Sequence, residues 1–253
     1  MQHVEKKEAV FRFYEELNDF LPDPDIKERP YKFWGRPTVK DAVEAQGIPH
    51  TEIEIIMING ISVGFDHHLK DGDRVAVYPV FESLDVSPLI RLRPKPLRSP
   101  RFAADRNLRK TARWMRLLGF DVWCARTETT SVLIEKCAQN RRIILSRDKN
   151  LLKQKTVTRG YYVRSNIMKT QIREILNRFD LWNQLKPFTR CMECNSMLLP
   201  VNKEACTGLL PDKAAQYFDR FQQCRGCGKI YWEGSHYHRM FEQIEMIRQA
   251  KNK

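Results

Sequence analysis

The chain has 253 residues, 42% of them hydrophobic and 30% charged, with a formal net charge of +13. That length exceeds a usual single domain of roughly 100 to 200 residues, so two or more domains are expected, and the composition excludes a disordered or collagen-like chain. No run approaches the ~18 apolar residues of a membrane helix and Met1 to Ala9 lacks an apolar signal stretch, which points to a cytoplasmic protein with no membrane partner.

Short apolar runs at Val10 to Tyr14, Tyr31 to Trp34, Ile53 to Ile58 and Arg74 to Val80 predict strands, and Thr38 is the N-cap of one helix running through Gln46. Asn59-Gly60 is a hairpin signal and Asp71-Gly72-Asp73 a second turn. Residues 1–82 are therefore expected as a small sheet crossed by one helix. From Ser83 to Pro100 four prolines alternate with arginines and lysine, which predicts an extended linker over 83–100.

The charge is unevenly distributed. Residues 1–98 carry 14 Lys and Arg against 17 Asp and Glu, a balance of −3, while residues 99–253 carry 30 against 14, a balance of +16. A polyanion suits such a surface, because neutralised phosphates release condensed counterions. An anionic membrane is the competing partner, but no basic amphipathic helix with large exposed apolar residues is evident.

After the linker the pattern alternates: a strand at Arg101 to Ala104, a helix from Asn107 to Leu118, a strand at Asp121 to Ala125 and a helix from Ser131 to Gln139. A strand at Arg142 to Ser146, another at Gly160 to Arg164 and a helix from Lys169 to Arg178 continue it. Alternation of this kind predicts an α/β fold with a mostly parallel sheet, whose reactive crevice lies beyond the C-terminal strand ends.

Asp105 follows the first of these strands and Asp148 the third, with Glu128 just beyond the second. Carboxylates sharing a crevice repel one another, and a Mg²⁺ or Mn²⁺ ion relieves that repulsion while binding phosphate and water. The alternative is that each Asp caps the helix after it. Both stand open at this point. Asp121 stands at the opposite, N-terminal end of its strand and is the weaker candidate. The helix from Arg106 to Gly119 carries Arg106, Arg109, Lys110, Arg113 and Arg116 at spacings of three and four with no acid among them, opposite an apolar stripe of Leu108, Ala112, Met115 and Leu118. Its like charges repel mildly and gain from an anion laid across them. A merely solvated face is the alternative.

Cys191-Met192-Glu193-Cys194 and Cys224-Arg225-Gly226-Cys227 are two C-x₂-C knuckles, 29 residues apart. Four thiolates complete a tetrahedral Zn²⁺ site, so this one is expected to be structural. Cys124, Cys137 and Cys206 are expected as ordinary thiols, and His236 and His238 as packed or solvated side chains.

Two resemblances add to this. From Met57-Ile58-Asn59-Gly60 through Lys70-Asp71-Gly72-Asp73-Arg74-Val75 the first region resembles the ubiquitin-like β-grasp of sulfur-carrier proteins. The chain runs on through Tyr78-Pro79-Val80-Phe81-Glu82 where those carriers end in Gly-Gly, which implies docking to a protein partner rather than carrier chemistry. The segments Phe102-Ala103-Ala104-Asp105-Arg106-Asn107-Leu108, Ala112 to Asp121, Ile143 to Asp148, Arg190-Cys191-Met192-Glu193-Cys194-Asn195 and Tyr231 to His236 resemble the Mut-seven C-terminal ribonuclease family. That resemblance implies a PIN-like nuclease over 101–186, a fused zinc ribbon with a C-terminal helix over 187–253, and divalent-metal cleavage of RNA. The family's first acid maps onto Asp105 and its Arg-Asp pair onto Arg147-Asp148, with Arg147 a further RNA contact; before the second helix Glu128 is the carboxylate that corresponds. A metal-dependent endoribonuclease is the function expected, with an RNA-binding adaptor as the alternative.

Overall fold

The computed structural model describes residues 6–79, 89, 90, 92, 100–125, 127–206 and 208–249. The limit expected at residue 82 lies outside these residues, as does the linker apart from Leu89, Ile90, Leu92 and Pro100. The chain divides into two compact units, one of Met1–Ser99 with Ile134–Tyr162 and one of Pro100–Leu133 with Val163–Lys253.

In the first unit β1 (Lys7–Phe13), β2 (Arg29–Phe33), α1 (Val39–Ala45), β3 (Ile53–Ile58), β4 (Ile61–Val63) and β5 (Arg74–Pro79) give a five-stranded sheet in the order β2-β1-β5-β3-β4. β1 runs parallel to β5 and the other pairs are antiparallel, the mixed order of a β-grasp. Alternation places Ala9, Phe11 and Phe13 of β1 in the core with Val75 and Val77 of β5, and α1 adds Val39, Ala42 and Val43. Thr38 caps α1 by accepting from Asp41 N at 3.1 Å. Asn59 and Gly60 have φ of 51° and 83°, the left-handed pair that a two-residue hairpin between β3 and β4 requires.

The chain then alternates as expected through β6 (Arg101–Ala104), α2 (Arg109–Leu117), β7 (Val122–Cys124), α3 (Thr130–Gln139), β8 (Arg142–Ser146), α4 (Lys149–Leu152), β9 (Gly160–Tyr162) and α5 (Met168–Arg178). β6 pairs in parallel with β7, and β8 in parallel with β9. The stretch from Ile134 through β9 belongs to the first unit. There the buried carboxylate of Glu52 accepts from Tyr162 N at 2.7 Å, and the His50 ring spans Glu44 Oε1 at 2.6 Å and the Val157 carbonyl at 2.8 Å. The Lys149 ammonium lies 4.9 Å from the centre of the Phe20 ring and 5.5 Å from that of Tyr162.

In the second unit α5 lies against α2, where the Thr111 hydroxyl donates to Gln171 and both side chains are buried. Phe102 of β6 meets Phe179 edge-on with ring centroids 5.2 Å apart. Just past the Leu118 cap of α2 lies Gly119, whose φ of +100° and closeness to the Lys186 carbonyl leave no room for a Cβ. Beyond it β10 (Leu198–Val201), α6 (Asp212–Tyr217), β11 (Phe221–Cys224) and β12 (Ile230–Trp232) give a three-stranded antiparallel sheet, and α7 (Ser235–Gln249) is the expected C-terminal helix. No helix among the described residues is long and apolar enough to cross a membrane.

Candidate metal centre and nucleic-acid interface

Each C-x₂-C segment folds as a knuckle that leads into or out of a ribbon strand. In the first, Cys191 N donates to Ser196 O at 2.8 Å and Asn195 N to Cys191 O at 3.0 Å. In the second, Cys224 N donates to Lys229 O at 2.9 Å and Gly228 N to Cys224 O at 3.0 Å, the same wiring repeated. A Cβ on Gly226 would strike Ser196 Oγ, so the second turn requires its glycine to pass the first.

The two knuckles bring the four sulfurs together. Cys191 Sγ is 3.7 Å from Cys227 Sγ, Cys194 Sγ is 3.2 Å from Cys224 Sγ, and all four lie within 4.8 Å of one another. A tetrahedral ion with metal–sulfur bonds of about 2.3 Å sets sulfurs about 3.8 Å apart. The cluster could therefore bind a metal such as zinc. Burial raises the Cys194 thiol, but hydrogen bonds from Ser196 and from the neighbouring thiols outweigh it and bring it down to about 6. Burial is the main cause that pushes Cys224 up to about 12. A cation supplies the positive charge that lets all four ionise together. The Tyr231 hydroxyl lies 3.1 Å from Cys191 Sγ, a second layer behind the ligand.

The knuckles are tied to α2 and β7 by polar bonds. Arg116 is buried, with Nε donating to Val122 O at 2.7 Å and Nη1 to the carbonyls of Met192 and Glu193, each at 2.9 Å. This corrects the expectation that Arg116 contacts RNA, because its guanidinium faces the ribbon backbone. Asn195 accepts from Val122 N at 3.0 Å and donates to Asp121 at 2.8 Å, so Asp121 also serves the ribbon. Arg190 donates to Gly119 O at 3.2 Å and Asn195 O at 2.9 Å. Repeating basic residues revealed the charge of α2 but not which arginine turns inward.

Arg106, Arg109, Lys110 and Arg113 are exposed, the first in a 3-10 turn that precedes α2. Arg113 pairs with Glu193 at 2.8 Å. Arg147 is half-buried.

The acids occupy separate settings. Asp105, in the second unit, is 6% exposed, and its Oδ1 accepts from Asn107 N at 2.8 Å and Leu108 N at 3.2 Å. Asp148, in the first unit, is exposed and caps α4, its Oδ1 accepting from Asn150 N at 2.8 Å and Leu151 N at 3.3 Å. Each thus performs the capping that was the alternative to a metal role, and each does so through one carboxylate oxygen. Glu128 is half-buried in the loop after β7 and accepts from Thr127 N at 3.2 Å. Cys137 and Cys206 are buried, Cys124 is half-buried, and His236 and His238 are exposed.

With this geometry in place, residues 100–244 match the family described as the Mut7-C RNAse domain. The chain belongs to that family. Residues 6–85 match the Mut7-C ubiquitin family, and cover the five-stranded sheet of the first unit. Two crystal structures of small archaeal modifier protein 1 from Haloferax volcanii are similar to the chain at 17% and 16% identity. Each covers 30% of this chain and 99% of that one, with a TM-score of 0.25. No curated protein matches. The Mut7-C RNAse match spans both knuckles, the basic face of α2 and all three acids, which indicates a nuclease-type function with RNA as the substrate class. The ubiquitin-like match accords with interaction with another protein.

Proposed function

We propose that the protein is a metal-dependent endoribonuclease in which Asp105, Asp148 and Glu128 are the acids that serve the catalytic ion. The observation that carries this reading is the match of residues 100–244 to a ribonuclease family across all three positions. Position supports it too: Asp105 directly follows β6 and Asp148 lies two residues past β8, strands that pair in parallel with β7 and β9 respectively, and each acid caps through Oδ1. Carboxylate oxygens are the ligands that Mg²⁺ and Mn²⁺ prefer, and such an ion supplies Lewis acidity toward a scissile phosphodiester. The exposed cations Arg106, Arg109, Lys110 and Arg113 neutralise RNA phosphates, and Arg147 adds to them beside Asp148. Zn²⁺ occupies the four-cysteine cluster as a structural ion, since four thiolates leave it no open position. The protein works in the cytoplasm, and its β-grasp sheet docks a protein partner.

Incubation of the purified protein with total cellular RNA and Mn²⁺, with an EDTA control and sequencing of the new ends, tests the reading. Discrete metal-dependent fragments are expected. Intact RNA that co-purifies with the protein would instead support a non-catalytic RNA-binding adaptor, which the capping duty of both aspartates favours.

A further inference from the structure

The second unit contains a cleft that neither the metal cluster nor the acids use. Its volume is about 610 Å³, within the range of small-ligand sites, and ribbon strands β10 to β12 and the first turn of α7 line it. Phe188, Tyr231, Trp232 and Tyr237 give it aromatic walls. Phe188 and Tyr237 stack with centroids 4.1 Å apart, and Phe241 extends the run 6.4 Å beyond Tyr237, itself 44% exposed. Flat rings stepped in this way offer faces on which a further flat ring can stack.

Charge and continuity narrow the occupant. Exposed Arg113, Arg220 and Lys229 line the cleft. Arg113 also belongs to α2, so the cationic face that begins at Arg106 in the preceding turn and continues through Arg109 and Lys110 reaches the cleft. Three carboxylates are present as well. Glu193 lies 2.8 Å from Arg113 and 3.7 Å from Lys229, and Asp219 lies 3.0 Å from Lys203. Glu233 is the third, an exposed acceptor on the cleft's lining. Aromatic walls, a cationic approach and a few polar acceptors match an unpaired nucleotide better than an apolar peptide, since every base offers a π-face and brings its own phosphate.

We infer that this cleft binds an unpaired nucleotide of the RNA, stacked on Tyr237 or Trp232, while α2 carries the phosphates leading to it. The inference rests on the RNA reading above but not on cleavage. The ribbon is then the element that selects single-stranded RNA.

Binding is measured on the full-length protein in buffer without added Mg²⁺ or Mn²⁺ and without chelator, with a 12-nucleotide single-stranded RNA that carries 2-aminopurine at one position at a time. At one or two positions the fluorescence is expected to fall on binding as the base stacks. Tyr237→Leu should weaken affinity about tenfold with the salt dependence unchanged, whereas Tyr237→Phe, which keeps the ring, retains it. Zinc content equal to wild type shows that the variant's ribbon is intact, and the fluorescence test on wild type stands even if Tyr237→Leu fails to fold. Binding that is lost on Arg109→Glu but shows neither a stacked position nor a Tyr237 effect overturns the cleft while leaving the RNA reading in place. No binding of wild type to the RNA overturns both.

Discussion

The first unit and the ribbon of the second are stabilised by different means. The first has a continuous apolar core in which Phe11, Leu17, Ile48, Ile53 and Ile56 are fully buried. Each such side chain contributes about 1.5 to 3 kcal/mol. The ribbon has two small apolar clusters, one of Leu198 with Cys191 and Cys224 and the other of Phe221 and Ile230 with Cys206. It depends instead on its four thiols and on the polar ties of Arg116, Arg190 and Asn195. The first unit should therefore be sensitive to lost volume, the ribbon to a lost ion or a lost guanidinium.

Removing a ligand should separate the two most sharply. Cys224→Ser, or a strong chelator, should release the bound ion and strip protection from amides 191–232, with the sheet β1 to β5 still protected in hydrogen exchange. Loss of protection throughout both units would show that the contrast is misdrawn. Phe11→Ala is the converse, expected to cost about 4 kcal/mol in denaturant unfolding while zinc content stays at wild-type stoichiometry.

Arg116→Ala should cost about 3 kcal/mol, because it leaves three backbone carbonyls without their charged donor. An RNA contact at this position would instead show as weaker, less salt-dependent binding at unchanged stability. Glu52→Ala removes the buried carboxylate that accepts from the part-buried Tyr162 N–H and is expected to cost about 2 kcal/mol, with Glu52→Gln, which keeps the acceptor, restoring most of it.

The smallest effect concerns Cys137, which burial pushes up to about 12 from an ordinary value of 9.0. A raised folded value means that its contribution to stability is intact below pH 9.0 and lost as pH climbs toward about 12, so Cys137→Ala should flatten the alkaline decline.

What the sequence revealed follows from how local each signal is. Knuckle spacing pointed to all four cysteines that the fold gathers into one cluster, because a C-x₂-C turn is self-contained. Periodicity identified β3, β6, β8 and α5, whose apolar residues repeat over a full element. It missed β4 and the 3-10 turn at Glu15–Phe20, which are too short to show a period. Arg116 was assigned to the exposed face because it stands three residues after Arg113, yet it is also four after Ala112 and next to Met115, on the border of the buried stripe. Nothing local marks Glu52, whose partner Tyr162 is 110 residues away. Position marked Asp105 and Asp148 and left metal binding and capping both open; the backbone N–H groups at Asn107, Leu108, Asn150 and Leu151 are what show the capping.

The central claim is that Asp105 and Asp148 serve metal-dependent RNA cleavage in addition to capping their helices. Single-turnover cleavage of a 5′-labelled RNA in Mn²⁺ by wild type, Asp105→Asn and Asp148→Asn, each checked for unchanged thermal unfolding and RNA affinity, tests it most directly. Asparagine keeps the capping oxygen but loses the charge, so the account predicts that cleavage falls at least a hundredfold while fold and binding persist. Full cleavage by both variants would contradict it.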